Sequence, residues 1–577
     1  MKTMNYQEID WKICHEKLAA LQTKLVEAHR AKDARSIKDL QRNIVTSFAA
    51  RALAVRRVTS NKGGNTPGID GVKWNSPQKK MNAITELQHL TQKPGEYKAK
   101  PVKRVFIPKP GKAEKRPLGI PTLQDRAMQA VYLYSIDPLV EETSDNNSYG
   151  FRPYRGAREA TAKIRDTLGK DYSPNWLLDA DIEKCFDKIN HNWLLNHVPI
   201  VDREVLNSWL QAGVATGTET EFDGLGVPQG GVISPTLSNI ALNGLEKCAQ
   251  ECTAHMVSKR ERTKVYLIRY ADDFIVSGAS REILDTARSG IEAFLEPRGL
   301  RLHPGKTRVV EINKGEPFIF LGFEFSKKPL NHKLNMPSRK DRTRKRLVVK
   351  PSKENIKKLK SIVKATLTPG KPIAGIIGDL NPKLRGWSNY FRVGRHSPMV
   401  FKLIGNWIWR RMLKWAQKKH STRNVEWIKD RYISKSKWRT NHWCDKGSPT
   451  RSLLDISTVT HMFIPTFPKG LNPYIVADKK KLDARNRTVS TIKEKDSIRK
   501  NLIKRDGGLC PICETSIMET SEPIELHHLV GISEGGSWKL DNLVLLHEAC
   551  HKSVTHNEAL RNKLRESYSS NKPAMSA

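Results

Sequence analysis

The tetrad Tyr270-Ala271-Asp272-Asp273 lies between two short apolar runs, Val265-Tyr266-Leu267-Ile268 and Phe274-Ile275-Val276. A β-rich run, a tight polar break and a second β-rich run predict a hairpin with both aspartates at its tip. Two like charges held against apolar strands repel each other and lose solvation, and a divalent cation removes both penalties. Mg²⁺ favours carboxylate oxygens and keeps positions open for substrate phosphates. A pair of such ions can activate an attacking 3′-hydroxyl and stabilise a leaving pyrophosphate. An isolated tetrad of this kind also fits an ordinary acidic turn. A third carboxylate decides between the two, and the run Trp176-Leu177-Leu178-Asp179-Ala180-Asp181 delivers one, Asp181, to a strand end. Asp179 and Asp187 compete with it on sequence alone.

A second constellation stands near the C-terminus. Cys510-Pro511-Ile512-Cys513 is a metal knuckle, and His547-Glu548-Ala549-Cys550 supplies a second pair. Two such pairs predict a tetrahedral Cys₃His site for Zn²⁺. A structural zinc suits a segment too short to build much core of its own.

The elements that must position these residues are legible in outline. Trp11, Leu18, Leu21, Leu25 and Ala28 recur at helical spacing, as do Leu40, Ile44, Phe48 and Ala52, and these stripes read as core. The stretch Arg56-Arg57-Val58-Thr59-Ser60-Asn61-Lys62-Gly63-Gly64-Asn65-Thr66-Pro67-Gly68-Ile69-Asp70-Gly71 reads as a Gly/Pro/Asn-rich loop that combines freed backbone amides with nearby Arg and Lys, which suits a phosphate backbone or a plain flexible loop. Lys103-Arg104-Val105-Phe106-Ile107 and Lys115-Arg116-Pro117-Leu118-Gly119-Ile120 predict a basic hairpin turned by Pro110-Gly111-Lys112. Its cations could neutralise a pyrophosphate leaving group, or could keep an edge hairpin soluble. Pro228-Gln229-Gly230-Gly231 forms a glycine-rich turn leading into a helix.

The 577 residues suggest several domains, and a formal net charge of +40 points to a polyanionic partner, nucleic acid first. Residues 337–446 carry 30 Lys and Arg against 6 Asp and Glu, more than half of that excess, with Arg342, Arg344, Lys345 and Arg346 at its start. A phosphate backbone is the natural counter-surface. No apolar run is long enough to span a membrane and the N-terminus is no secretory signal, so a cytoplasmic setting without membrane partners is expected. The scattered cysteines agree with a reducing compartment.

In order and spacing these motifs resemble the reverse transcriptase of group II intron-encoded proteins, followed by their maturase region and an HNH endonuclease tail. The resemblance runs from about residue 40 to about residue 560. It implies a multidomain α+β chain with a right-hand polymerase: fingers within 1–170, palm 171–325, helical thumb or maturase domain X 326–446. A DNA-binding region over 447–490 follows (a basic linker reads equally well there), then a small zinc-stabilised ββα HNH domain over 491–577. Matched residue by residue, it implies that Asp181, Asp272 and Asp273 bind catalytic Mg²⁺. Phe186 would exclude a ribose 2′-hydroxyl, and Gln229 would touch the nascent base pair. Lys103 and Arg116 would approach the dNTP triphosphate, and Lys306 would lie in the palm helix motif. The early glycine-rich loop matches the extra N-terminal motif shared with non-LTR retroelement enzymes.

The tail matches the HNH pattern in the order His527-His528, Asn542, His551. It implies His528 as general base, Asn542 as the residue that fixes its loop, and His527 and His551 as ligands of a divalent ion, inside the zinc frame of Cys510, Cys513, His547 and Cys550. Relatives often carry cysteine where this chain has His547. The implied partners are group II intron RNA and target DNA, with dNTPs as substrate. A splicing cofactor and a host-adopted reverse transcriptase without mobility are the alternative readings.

Overall fold

The computed structural model describes residues 5–108, 115–216, 219–221, 224–257, 262–329, 345–436, 439–446, 448–491, 497–518, 520 and 522–569. The expected turn Pro110-Gly111-Lys112 and the cations Arg342 and Arg344 lie outside the described residues.

Three helices, Trp11–Arg30, Ala34–Thr46 and Phe48–Thr59, open the chain. Asp10 and Ser47 begin the first and third by accepting the orphan amides of Ile13 and Ala50. Of the stripe that the spacing predicts, Trp11, Leu18 and Leu25 are buried, with Cys14 beside them, while Leu21 and Ala28 are half-buried. The third helix is buried almost all round, and its alanines (Ala49, Ala50, Ala52, Ala54) allow close approach of its neighbours. They pack with the helix Leu123–Thr143, which is also apolar on most sides and therefore central.

The predicted hairpin exists as Tyr266–Tyr270 and Asp273–Gly278. It joins a four-stranded antiparallel sheet in the order Tyr266–Tyr270, Asp273–Gly278, Trp176–Asp181, Arg308–Glu311. Leu177, Leu178, Phe274, Ile275 and Val276 bury both faces. The amphipathic helix Arg281–Leu295 packs on this sheet through Ile283, Leu284, Ala287 and Ile291.

A second sheet, Phe318–Phe320, Phe323–Pro329 and Lys345–Pro351, leads into the helices Lys353–Thr366, Ile373–Phe391, Ser397–Lys419 and Val425–Tyr432. Most aromatics here are core, as helical spacing suggests: Trp415 is buried and Trp409 packs on Trp443 at 5.3 Å. Trp407 instead lies beneath Lys360 and Arg411. The helical layer expected over 326–446 carries strands as well. Ile433–Ser436, Arg439–Asp445 and Ser448–Ser452 form a small antiparallel sheet that buries Trp443. Its strands are short and irregular in register, so they carry little periodic signal.

The tail is a ββα unit: strands Ile524–His528 and Leu543–His547, then helix Glu548–His556. Its apolar residues join the same continuous core as the N-terminal helices and the four-stranded sheet. Among the described residues no helix is long and apolar enough to cross a membrane.

Candidate active sites

The register of the four-stranded sheet places Asp181 directly opposite Asp273, with Asp272 in the turn beside them. Opposed residues on antiparallel strands share one face, so the carboxylates converge at the sheet end. Lys306 pairs with Asp181. Asp179 lies opposite Ile275 and accepts from Arg308 at 3.2 Å, and Asp187 accepts from Gln229 at 3.3 Å. One expectation changes here. Lys306 stands in a turn before the strand Arg308–Glu311 rather than in a helix, because Pro304-Gly305 breaks helical structure just before it.

The turn is braced from behind by residues the motif reading did not single out. Arg269, fully buried in the middle of an apolar strand, donates to Asn239 Oδ1 (3.0 Å), Asn243 Oδ1 (3.2 Å) and the carbonyl of Ala271 (3.2 Å). The backbone of Asn147-Ser148-Tyr149 runs alongside Arg269, and Asn239 donates to the carbonyl of Gly150. A Cβ on Gly150 would meet the Ala271 nitrogen at 2.3 Å, so only glycine fits behind the turn. The available signal was a cation inside an apolar β run, which must be paired when buried.

Phe186, Gln229 and the basic hairpin meet beside the carboxylates. The Val227 amide donates to the Phe186 carbonyl, and the Gly119 amide donates to the Gln229 carbonyl. Gly230 (φ +128°) lies against the hairpin, where a Cβ would meet the Gly119 oxygen at 2.4 Å. Lys103 opposes Ile120 and Arg116 opposes Ile107, so both cations share one face of the hairpin. Phe186 packs edge-on against Phe151, with ring centroids 6.3 Å apart. Phe151 is more than half exposed and has a positive φ, so this aromatic is held at the site under backbone strain.

The donor chemistry fits a divalent cation. Desolvation pushes Asp273 up to about 6, and Asp272, Asp181 and Asp179 add to the shift. Burial also raises Asp272; Asp181 adds to the effect, while Lys306 and Arg116 oppose it. A carboxyl raised in the fold stabilises its protonated form, and that contribution is lost as pH rises from the ordinary aspartate range through about 6. Mg²⁺ should therefore raise the melting temperature more at pH 7.5 than at pH 5, and the increment should vanish in Asp273→Ala. Equal increments at both pH values, or an undiminished one in the variant, would place the stabilising ion elsewhere.

In the tail, the ligand atoms of Cys510, Cys513, His547 and Cys550 all lie within 4.8 Å of one another, and all four residues are buried. Burial opposes a charge on His547, yet Cys510 and Cys513 push it up to about 10, and neighbouring thiols hold Cys513 well below the usual range. Three thiol sulfurs and one imidazole nitrogen gathered in one buried cluster form a donor set whose geometry and chemistry fit zinc.

The other histidines line up outside that cluster. The His527 and His551 rings lie 5.0 Å apart, and His551 Nδ1 pairs with Glu525 at 2.7 Å. The Nε2 atoms of His527 and His528 are buried without a hydrogen-bond partner among the described residues. His528 also meets the edge of the exposed Trp538 at 4.5 Å. Asn542 accepts from the Val530 amide and donates to the Val530 and Ser537 carbonyls, pinning the loop that follows His528.

Four stretches of the chain match known protein families. Residues 107–325 match the reverse transcriptase (RNA-dependent DNA polymerase) family, and residues 6–87 match the N-terminal domain of reverse transcriptase. Residues 353–433 match the group II intron maturase-specific domain, and residues 510–557 match HNH endonuclease. Protein YkfC of Escherichia coli is 33% identical over 321 residues, which cover 49% of this chain and 82% of that protein. Group II intron-encoded protein LtrA of Lactococcus lactis is 27% identical over 331 residues, 47% of this chain and 54% of LtrA. The putative COX1/OXI3 intron 1 protein of Saccharomyces cerevisiae is 27% identical over 332 residues, 48% of this chain and 38% of that protein. The chain thus spans most of YkfC but about half of LtrA. The class is a reverse transcriptase joined to an HNH endonuclease domain. The chain belongs to the group II intron-encoded reverse transcriptase/maturase family.

Proposed function

We propose that this protein binds its group II intron RNA, assists splicing, nicks target DNA with the HNH domain and copies the RNA into DNA from the exposed 3′-hydroxyl. The observation that carries the reading is the convergence of Asp181, Asp272 and Asp273 beside a basic hairpin, in a chain that also holds a maturase segment and a nuclease constellation. The four-stranded sheet serves as palm, the preceding hairpin as fingers and the basic helical layer as thumb.

Asp181, Asp272 and Asp273 would hold Mg²⁺, which supplies activation of the primer hydroxyl and charge neutralisation at the pyrophosphate. Lys103 and Arg116 offer the triphosphate fixed positive charge from one face of the hairpin. Lys306, paired with Asp181, sets a positive charge against the carboxylates. Phe186, backed by Phe151, closes the floor beneath the sugar, and Gln229 is held near the incoming base. In the tail, His528 takes a proton from water while Asn542 keeps its loop in place. His527 and His551 would hold the nuclease's divalent ion. The Cys₃His cluster would hold a structural zinc that ties the knuckle to the ββα unit. The excess cations of 337–446 suit intron RNA, and the basic helix Val476–Thr491 suits target DNA.

The reading is tested by extension of a DNA primer on an RNA template with Mg²⁺ and mixed dNTPs and rNTPs. Wild type should use dNTPs. Phe186→Ala should admit ribonucleotides by at least roughly tenfold, since a lost steric clash of 1.4 kcal/mol is worth that factor. Unchanged discrimination would remove Phe186 from the sugar floor, and absence of any extension by the wild type would remove the polymerase reading itself.

A further inference from the structure

The helix Phe48–Thr59, lined otherwise mostly with alanine, leucine and valine, buries two arginines, each 4% exposed. Arg51 donates to neighbours close by, the Thr46 carbonyl and Gln88, but Arg56 does not. Its partners come from the far end of the chain. Nη2 donates to Cys550 Sγ at 3.4 Å, a contact spanning 494 positions, and to Glu522 Oε2 at 3.0 Å. Nε donates to the same carboxylate oxygen at 3.1 Å. The guanidinium also sits over the Trp11 ring, 4.9 Å from its centroid, and Trp11 in turn packs edge-on against Tyr6. Glu522 uses its second oxygen to accept the amide of Ala549, at the start of the helix that carries Cys550. At the rim, Lys12 pairs with Glu514, the residue after Cys513, at 2.7 Å.

The charge balance explains the arrangement. Three thiolates and one neutral imidazole around Zn²⁺ leave a net charge of −1 in a buried site, and Glu522 adds a second negative charge beside it. A buried charge needs a compensating partner, and a hydrogen bond donated to a ligating sulfur keeps that sulfur from protonating and leaving the metal. Arg56 is the buried cation in contact with both Cys550 and Glu522. It belongs not to the nuclease segment but to the N-terminal helical layer of the polymerase.

We infer that Arg56 is the outer partner of the C-terminal zinc cluster, so that the N-terminal helices both dock the nuclease domain and secure its metal. This inference rests on the zinc reading above. The nuclease carries its own catalytic residues, but its metal frame is completed by the reverse transcriptase's first domain. The pairing accounts for a buried arginine, a half-buried carboxylate and a shared core that a freely tethered tail would not need.

The test uses the full-length protein with zinc supplied during preparation. Bound zinc per chain is measured, then the rate of zinc transfer to a chromogenic chelator, beside primer extension on an RNA template. Wild type should hold one zinc. Arg56→Met, which keeps the stem and removes the charge, should weaken zinc retention by about 10- to 100-fold, the usual worth of an outer-shell partner. Primer extension should continue. Glu522→Gln should not accelerate zinc loss, because it leaves the cation and removes a competing negative charge. Were the contact simply docking, both substitutions would loosen the domain alike; equal zinc loss from both overturns the inference. Should Arg56→Met not fold, Arg56→Gln is measured in its place, and zinc release at the wild-type rate from either variant also overturns it. A wild-type chain that binds no zinc would instead remove the zinc reading, a distinct result.

Discussion

Asp272→Ala or Asp273→Ala is expected to abolish DNA synthesis on a primed RNA template. Asp273 faces Asp181 across neighbouring strands, and Asp272 occupies the turn, so each variant removes one wall of the same anionic cleft. A metal's stabilisation of a phosphoryl transition state is worth several kcal/mol, so loss of a ligand should cost roughly 10³-fold or more in rate. Neither substitution creates a large cavity, because both side chains border the open cleft rather than fill the core. The fold should stand, and intron RNA binding should persist, since the positive charge of 337–446 is untouched. Rescue by higher Mg²⁺ concentration would indicate weakened affinity, whereas a flat response would indicate lost geometry. Extension at the full rate by either variant would dismiss the carboxylate cluster as the polymerase centre.

What the sequence disclosed, it disclosed through local pattern. The β run, polar break and β run around Asp272 and Asp273 correspond to a real hairpin because period and turn chemistry act over a few residues. The spacing inside the Cys-x-x-Cys knuckle and inside the His547/Cys550 pair is local and so was legible, and the ββα fold brings the two pairs together. The basic hairpin and its two strands fall where the alternation of cations and β-formers put them. The choice among Asp179, Asp181 and Asp187 was not local. It rests on which residue of one strand opposes which residue of another, and the register places Ile275 and Arg308, not Asp273, opposite Asp179. A shift of one position would have exchanged the faces.

The same limit hid the support behind the motifs. Arg269 could be noticed as a cation in an apolar strand, but its partners Asn239 and Asn243 come from a helix and a turn distant in sequence. Phe151 reaches Phe186 only through a left-handed residue, which composition does not encode for phenylalanine. Lys306 looked helical by resemblance, and the Pro304-Gly305 pair overrode that. Arg56 and Arg57 read as cations of the glycine-rich loop, but they belong to the last turn of the helix Phe48–Thr59, and the partners of Arg56 lie hundreds of residues away, where no local pattern shows them.

The tail should yield two variants that look alike in one assay and unlike in another. His528→Ala removes the proposed base but no zinc ligand, and His528 lies on the strand Ile524–His528, away from the four clustered donors. Its ring meets Trp538 and its Nε2 is uncommitted among the described residues, so the substitution breaks no hydrogen bond there that holds the domain together. Nicking of target DNA should fall by about 10²- to 10⁴-fold, the worth of a positioned general base, while bound zinc stays at the wild-type level. Cys513→Ser removes a buried thiolate that lies 3.3 Å from His547, so it should lose the metal and with it the packing of the knuckle on the ββα unit. Nicking should then fail because the domain has come apart. Extension of a pre-nicked primer should continue in both, since the carboxylate cleft is built on a separate sheet. The decisive pair of measurements is zinc per chain and nicking rate on each protein. If His528→Ala nicks normally, or sheds its zinc as Cys513→Ser does, the separation of a structural Cys₃His cluster from a catalytic His527-His528-Asn542-His551 set fails.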